Sequence, residues 1–193
     1  MAKKEKVTVI GAGLSGPLLA VLLARRGYAV SLYERRPDMR LTQISAGRSI
    51  NLALSDRGIA PLRKIGLGRD ILSETVAMHG RMIHDISGAT NMQPYSGRKG
   101  EHINSVSRGG LNMKLMDEAA RNNIPIYFEH RCINADLETG TTVFINEATG
   151  EEVQVKADVV IGTDGAGSAV RNAMLEHSGR LRFSFSQEYL EHG

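Results

Sequence analysis

The chain has 193 residues, of which 41% are hydrophobic and 23% are charged, and its formal net charge is +3 at pH 7. This composition is typical of a globular protein with a buried core. A membrane helix needs about 18 consecutive apolar residues, and no apolar run in the sequence is that long. Aromatic residues make up 5% and tryptophan is absent, so the small positive charge does not indicate a nucleic-acid-binding surface.

The first predicted unit is a strand, a glycine-rich turn and a helix. A β-branched strand over residues 6–11 runs into Gly11, Gly13 and Gly16, spaced as G-x-G-x-x-G, and a helix is predicted over 15–26. In dinucleotide-binding proteins the first glycine makes a tight turn, the second lets the backbone approach a pyrophosphate, and the third lets the helix pack on the strand. The N–H groups at the start of such a helix favour phosphates.

The second predicted strand, over residues 29–34, ends on an acid. Glu34 follows Gly13 by 21 residues, a position from which a carboxylate can accept hydrogen bonds from ribose hydroxyls. The spacing therefore predicts a dinucleotide site. The alternative is an empty β-α-β unit whose glycines serve packing alone.

The next part of the chain is predicted to contain loops, one helix and two strands. A long loop is expected over 35–54, and Ser55 is expected to cap a helix that ends near residue 65. Strands are expected over 78–87 and 102–107, with turn residues filling the stretch between them.

Ser107 is expected to cap the next helix, and a strand follows over 124–129. Short antiparallel strands are expected over 132–156, and the β-branched run 158–162 is of the kind buried in a parallel sheet. The face of the helix that is predicted to be buried carries Leu111, Leu115, Met116 and Ala119.

A second glycine-bearing turn follows residues 158–162 and reads Thr-Asp164-Gly-Ala-Gly-Ser168-Ala-Val-Arg171. The strand is expected to deliver Asp164 at its carboxyl end, where ligands bind in open α/β sheets. Ser168 is expected to start a short helix. Taken alone, this segment also fits an ordinary strand, turn and helix.

Together the two motifs resemble the flavin-dependent aromatic hydroxylases, in which G-x-G-x-x-G and D-G-x-x-S-x-x-R occur together. Further blocks make the chain similar to the kynurenine 3-monooxygenase family within that class. The resemblance implies FAD as the bound cofactor and a Rossmann-like α/β domain of the glutathione-reductase type, with part of an inserted antiparallel substrate-domain sheet. The blocks are Gly47–Ser55, Gly80–His84, Ser105–Arg108 with Leu111 and Asn112, and Phe185–Tyr189 with His192 and Gly193.

The resemblance also implies a division of the chain into domains. Residues 1–75 and 101–180 would form the FAD-binding domain, and residues 76–100 and 181–193 would begin the substrate sheet. A third signature of these hydroxylases, a Gly-Asp segment, is not found before Gly193. We therefore expect an amino-terminal fragment that binds FAD weakly and does not hydroxylate kynurenine alone.

Roles for individual residues follow from the same resemblance. Arg108 could equally be a surface residue at a helix start, and Cys132 a small buried residue whose thiol has no activating neighbour. Cys132 is the only cysteine, so an intrachain disulfide cannot form. This is consistent with a reducing, cytoplasmic compartment. The implied FAD contacts are Gly11, Gly13, Ser15 and Gly16 at the pyrophosphate, Glu34, Arg35, Arg36 and Cys132 around the adenosine, Ala53 at the flavin edge, Arg108 at the phosphates or ribityl chain, and Asp164.

Arg81 and Tyr95 are implied to bind the substrate carboxylate, a group that an arginine fork holds well. The alternative is a surface arginine and a half-buried tyrosine. No catalytic side chain is expected, because the cofactor carries the chemistry. NADPH would reduce FAD, and O2 would give a flavin C4a-hydroperoxide that converts L-kynurenine to 3-hydroxykynurenine.

Two other functions stay open at this point. One is a flavin-dependent hydroxylase of another aromatic acid, and the other is a dinucleotide-binding remnant without catalysis. A simple NAD dehydrogenase is disfavoured by the Asp164-Gly165 segment. Neither a G-x-S-x-G elbow nor an H-E-x-x-H metal motif occurs in the sequence.

Overall fold

The computed structural model describes residues 3–41, 51–186 and 188. The chain divides into two compact units, which we call unit 1 (residues 1–42 and 119–193) and unit 2 (residues 43–118). Parts of two blocks that carry the resemblance, residues 47–50 at one and Gln187, Tyr189, His192 and Gly193 at the other, lie outside the described residues.

The described residues form the following elements. The strands are β1 (Lys6–Ile10), β2 (Ala29–Tyr33), β3 (Asn51–Leu54), β4 (Val76–Met78), β5 (Gly80–His84), β6 (Thr90–Pro94), β7 (Ile103–Ser107), β8 (Ile126–Tyr127), β9 (His130–Asp136), β10 (Thr141–Asn146), β11 (Glu152–Lys156) and β12 (Val159–Gly162). The helices are α1 (Ser15–Ala24), α2 (Asp56–Lys64), α3 (Gly68–Leu72), α4 (Arg108–Arg121), α5 (Ala169–Glu176) and α6 (Ser178–Leu181).

Unit 1 contains a parallel sheet in the order β12-β1-β2-β8 and an antiparallel sheet in the order β11-β10-β9. Strand β1 is central in the parallel sheet, and four of its five residues are buried, as expected for a strand covered on both faces. Its last residue, Ile10, packs in a cluster with Tyr33 and Phe144. The cluster lies where β1 and β2 end, immediately before the predicted cofactor turn.

Unit 2 contains a sheet in the order β3-β7-β4 and a separate hairpin of β5 and β6. The predicted face of α4 is buried, with exposed fractions of 5% or less at all four positions. Ser107 caps this helix as predicted, because its hydroxyl accepts a hydrogen bond from the Gly110 N–H at 3.1 Å. None of the helices in the described part of the chain combines the length and apolar character that crossing a bilayer requires.

Several strand predictions were wrong because pairing with a partner strand decides where strands form. The loop predicted over 35–54 ends in β3, which pairs with β7 about fifty residues later. The stretch 88–100, predicted to be turn residues, contains β6, which pairs with β5. The strand predicted over 78–87 is divided between β4 and β5.

Three smaller expectations also failed. The strand predicted over 124–129 is reduced to the two residues of β8. Strand β12 lies at an edge of its sheet and is less buried than predicted, with Val159 41% exposed. Ser55 occupies the N-cap position of α2, but its side chain makes no capping hydrogen bond.

Candidate cofactor site

The first glycine turn joins β1 to α1, and its three glycines meet different surroundings. Gly11 has φ +99°, and a Cβ there would lie 2.6 Å from the Thr163 carbonyl oxygen. A Cβ on Gly16 would clash with the Gly11 carbonyl oxygen, whereas a Cβ on Gly13 would have no heavy atom within 4 Å. Gly11 and Gly16 are therefore required by the fold, and the space beside Gly13 is open.

Helix α1 starts directly after this open space. Ser15 is its first residue, and Leu14, at the N-cap position, offers no side-chain acceptor. The first turn carries no acidic side chain, so the positive end of the helix dipole is not neutralised from within the helix. An anionic pyrophosphate fits these features, because it needs close backbone approach and N–H donors.

Glu34 follows β2 and lies beside the turn. It is 4% exposed, and its Oε2 accepts a hydrogen bond from the Ala12 N–H at 2.7 Å. Its Oε1 accepts bonds from the N–H and the Nε of Arg36, at 3.0 and 2.8 Å. The structure thus brings Glu34 and Arg36 to the glycine turn, while Arg35 is exposed.

The second turn follows β12, whose residues pair in parallel with β1. The Asp164 carboxylate accepts hydrogen bonds from the Ser168 hydroxyl at 2.6 Å and the Ala169 N–H at 2.7 Å. The Arg171 guanidinium donates to the carbonyls of Gly165 and Ala166. Asp164 therefore lies at the carboxyl end of β12, as predicted, and its carboxylate caps α5.

Cys132, on β9, packs against the cluster of Ile10, Tyr33 and Phe144. Burial and the nearby Asp164 carboxylate raise the pKa of its thiol to about 11. A thiol with that pKa is protonated near neutral pH and is a poor nucleophile. These surroundings match those of a small, largely buried side chain without a chemical role.

Ala53 and Arg108 belong to unit 2 and lie on or directly after the paired strands β3 and β7. Ala53 pairs with Ser105, and Arg108 begins α4 directly after the last residue of β7. Both residues are exposed. They are therefore accessible to a ligand.

Arg81 and Tyr95 lie on the β5–β6 hairpin of unit 2. Arg81 pairs with Gln93 across the hairpin, and its Nε donates to the Gln93 side chain at 2.7 Å. Tyr95 lies two residues beyond Gln93 and donates its N–H to the His79 carbonyl, so Arg81 and Tyr95 are diagonal neighbours on one face. Tyr95 is 47% exposed, so part of its ring is accessible to a ligand, and this exposure equally fits the alternative of a half-buried tyrosine.

Thr163 is a residue of this site to which the sequence assigned no role. Its hydroxyl donates to the carbonyl oxygens of Ile10 and Gly11 at 2.8 and 2.7 Å. The only signal in the sequence is its place between a β-branched strand and Asp164, and that place alone does not reveal a contact with residues 10 and 11.

Comparison with known proteins identifies close relatives in sequence. A kynurenine 3-monooxygenase of Myxococcus xanthus is 47% identical over the whole of this chain and 41% of its own length. One of Anopheles gambiae is 40% identical over 97% of this chain and 38% of its own length. The chain thus spans about two fifths of these curated relatives.

Comparison with solved structures tests the fold. The tetrameric form of 2-methyl-3-hydroxypyridine-5-carboxylic acid oxygenase superposes with a TM-score of 0.73 at 22% identity, covering 90% of this chain and 43% of the other. This likeness confirms the predicted α/β fold of the aromatic-hydroxylase type. Residues 4–181 match the family model described as "FAD binding domain", so FAD is confirmed as the cofactor class, and the chain belongs to this family of FAD-binding domains.

Proposed function

We propose that this chain supplies the FAD-binding part of a cytoplasmic, flavin-dependent monooxygenase that converts L-kynurenine to 3-hydroxykynurenine. One oxygen atom of O2 enters the aromatic ring, the other leaves as water, and NADPH provides the two electrons. The observation that carries the FAD-binding role is the open space at Gly13, at the start of α1. The names of the curated relatives support kynurenine as the substrate.

In this proposal the residues of unit 1 hold the dinucleotide. The backbone at Gly11, Gly13, Ser15 and Gly16 binds the pyrophosphate, and the Glu34 carboxylate binds the adenosine ribose. The bonds that Glu34 accepts from Ala12 and Arg36 support this role, because they hold a buried carboxylate at one place beside the turn.

The family resemblance supplies the remaining proposed contacts to the dinucleotide. Arg35, Arg36 and the backbone at Cys132 lie along the adenosine, and Asp164 faces the cofactor from the end of β12. Ala53 lines the flavin edge, and Arg108 binds the phosphates or the ribityl chain. When bound, FAD supplies the electron transfer and the oxygen chemistry. The protein's task is to orient substrate and exclude water.

Residues 76–100 and 181–193 are proposed to begin the substrate sheet, while residues 1–75 and 101–180 form the FAD-binding domain. Arg81 supplies a planar guanidinium for the substrate carboxylate, and Tyr95 supplies a hydroxyl donor. Their place as diagonal neighbours on an exposed hairpin face supports this assignment. Both residues orient the substrate and neither takes part in bond making.

The test uses the protein at the length of its curated relatives and measures kynurenine-dependent NADPH oxidation with analysis of the product. Arg81→Lys and Tyr95→Phe should each raise the KM for kynurenine about tenfold with little change in kcat, because each removes a hydrogen bond to a charged group. Arg98→Ala is the matched control, because it removes another exposed arginine and should leave KM unchanged.

Three outcomes would contradict the proposal. An unchanged KM in both variants would remove Arg81 and Tyr95 from the substrate site. Oxidation of NADPH stimulated by a different aromatic acid, and not by kynurenine, would indicate another hydroxylase. A protein that retains no flavin would indicate a non-catalytic remnant.

A further inference from the structure

We propose that Thr163 is a positioning residue for the cofactor, because its hydroxyl fixes the two peptide groups from which the glycine turn is built. Thr163 follows β12 and belongs to the second motif, whereas the turn belongs to the first. The inference rests on the FAD binding of the family and is independent of the proposed substrate.

The first of these peptide groups joins Ile10 to Gly11. Its N–H donates to the Tyr33 carbonyl at 2.7 Å. Its carbonyl accepts from the Thr163 N–H at 2.7 Å and from the Thr163 hydroxyl at 2.8 Å. The group is therefore held by the end of β2 on one side and by Thr163 on the other.

The second peptide group joins Gly11 to Ala12. Its N–H donates to Glu34 Oε2 at 2.7 Å, and its carbonyl accepts from the Thr163 hydroxyl at 2.7 Å. The N–H and C=O of a trans peptide point in opposite directions, so these two partners together fix the rotation of the peptide plane. Without the hydroxyl, this plane would keep the Glu34 contact and lose the contact from Thr163.

The Thr163 hydroxyl also lies close to Gly16, in the first turn of α1. A Cβ on Gly16 would lie 2.9 Å from the Thr163 Oγ1, so the hydroxyl fills the room between the turn and the start of α1. It has one proton to share between two carbonyl oxygens, as in a three-centre hydrogen bond. The hydroxyl thereby sets the orientation of backbone groups that precede the open space at Gly13.

The experiment compares Thr163→Ala and Thr163→Val, which remove the donor, with Thr163→Ser, which keeps it. Thr142→Ala is the matched control, because Thr142 is a fully buried threonine of the same unit whose hydroxyl donates to the Val155 carbonyl at 3.2 Å. FAD affinity is measured by flavin fluorescence titration. Exchange of the Ala12 amide proton is measured by NMR on the protein without FAD.

We expect Thr163→Ala and Thr163→Val to weaken FAD binding about tenfold, since the Gly11 carbonyl loses its donor from Thr163. The Ala12 amide should exchange about tenfold faster, because the peptide opens more often. Thr163→Ser should restore both quantities. Thr142→Ala should lower the melting temperature without changing either one.

The inference would be overturned if the Ala12 amide proton exchanged in Thr163→Ala and Thr163→Val at the same rate as in the wild type. An equal loss of FAD affinity in Thr142→Ala would overturn it too, because the effect would then be one of general stability. If the wild-type chain itself fails to bind FAD, the cofactor assignment fails for the isolated chain. The exchange rates of the Ala12 amide then still decide whether Thr163 positions the turn. If Thr163→Ala does not fold, Thr163→Val provides the comparison.

Discussion

At the first turn, a methyl group on Gly16 would meet a backbone carbonyl, and one on Gly13 would meet no heavy atom within 4 Å. The motif spacing predicted the close packing at Gly16, and the role of Gly13 toward a ligand stays a prediction that the open space beside it fits. The spacing did not reveal Thr163, because that contact joins residues 153 positions apart. Residue-scale prediction therefore reached the local geometry of the turn and missed its distant partner.

Alanine substitutions should separate these two glycines. Gly16→Ala should lower the free energy of unfolding by about 2 kcal/mol, because the turn must move to avoid the overlap. Gly13→Ala should change it by less than about 0.5 kcal/mol and should weaken FAD binding about tenfold, because the methyl takes space that the pyrophosphate needs. Urea unfolding and FAD titration measure the two effects.

Gly97→Ala is the control, because a Cβ there also meets no heavy atom within 4 Å and the residue lies outside the motif. It should leave both quantities unchanged. FAD affinity at the wild-type level in Gly13→Ala would show that the open space is not the pyrophosphate site.

Among the elements, three helices begin after a serine, and the serines before α2 and α5 differ in how they act. The Ser168 hydroxyl accepts from the Arg171 N–H at 3.1 Å and donates to Asp164. Ser55 has extended backbone angles, yet its side chain makes no capping bond. Capping was predicted for Ser55 from residue type and place in sequence, and neither of these fixes the rotamer of a hydroxyl group. Local apolar spacing predicted the buried face of α4, whereas β3 depends on a partner strand about fifty residues away. Strand β6 depends on the preceding strand of its hairpin.

This difference predicts unequal costs for removing the two hydroxyls. Ser168→Ala should lower the free energy of unfolding by about 1 kcal/mol, because the Arg171 N–H loses its acceptor in the cap of α5. Ser55→Ala should cost less than about 0.5 kcal/mol, as at an ordinary surface position. Urea unfolding followed by far-ultraviolet circular dichroism provides both values, and equal losses would contradict the assignment.

For the molecule as a whole, the fold class was predictable because both strand–turn–helix motifs are local. The limits of the two units were not predictable from composition, since they depend on which strands pair. Unit 1 also contains two weak acids with raised pKa values, the buried Tyr33 and the partly buried Cys132. Burial first, and then neighbouring acidic groups, raise the pKa of Cys132 from 9.0 to about 11 and that of Tyr33 from 10.0 to about 12.

These two groups make stability depend on alkaline pH. The folded state keeps protons that the unfolded chain loses, so their contribution is fully present below pH 9 and is lost as pH rises through the folded pKa values. We expect the free energy of unfolding to fall between pH 9 and pH 12. Urea titrations across this range measure the slope.

Cys132→Ala isolates one of the two contributions. This variant should show a smaller fall in the free energy of unfolding between pH 9 and pH 11, and the part of the fall that is due to Tyr33 should remain. In the wild type, a thiol reagent should label Cys132 far more slowly in the folded state than in urea. A stability that does not change up to pH 11, or an equal slope in Cys132→Ala, would contradict the assignment.

The pairing of β1 with β12 has a consequence for biosynthesis. Ile10 and Thr163 are 153 positions apart, so at a synthesis rate of about 5–20 residues per second the ribosome makes Thr163 about 8 to 30 seconds after Ile10. Closing so long a loop also opposes early contact between the two strands. The nascent chain therefore presents its glycine turn long before the hydroxyl that holds it, and the complete turn forms among the last parts of the domain.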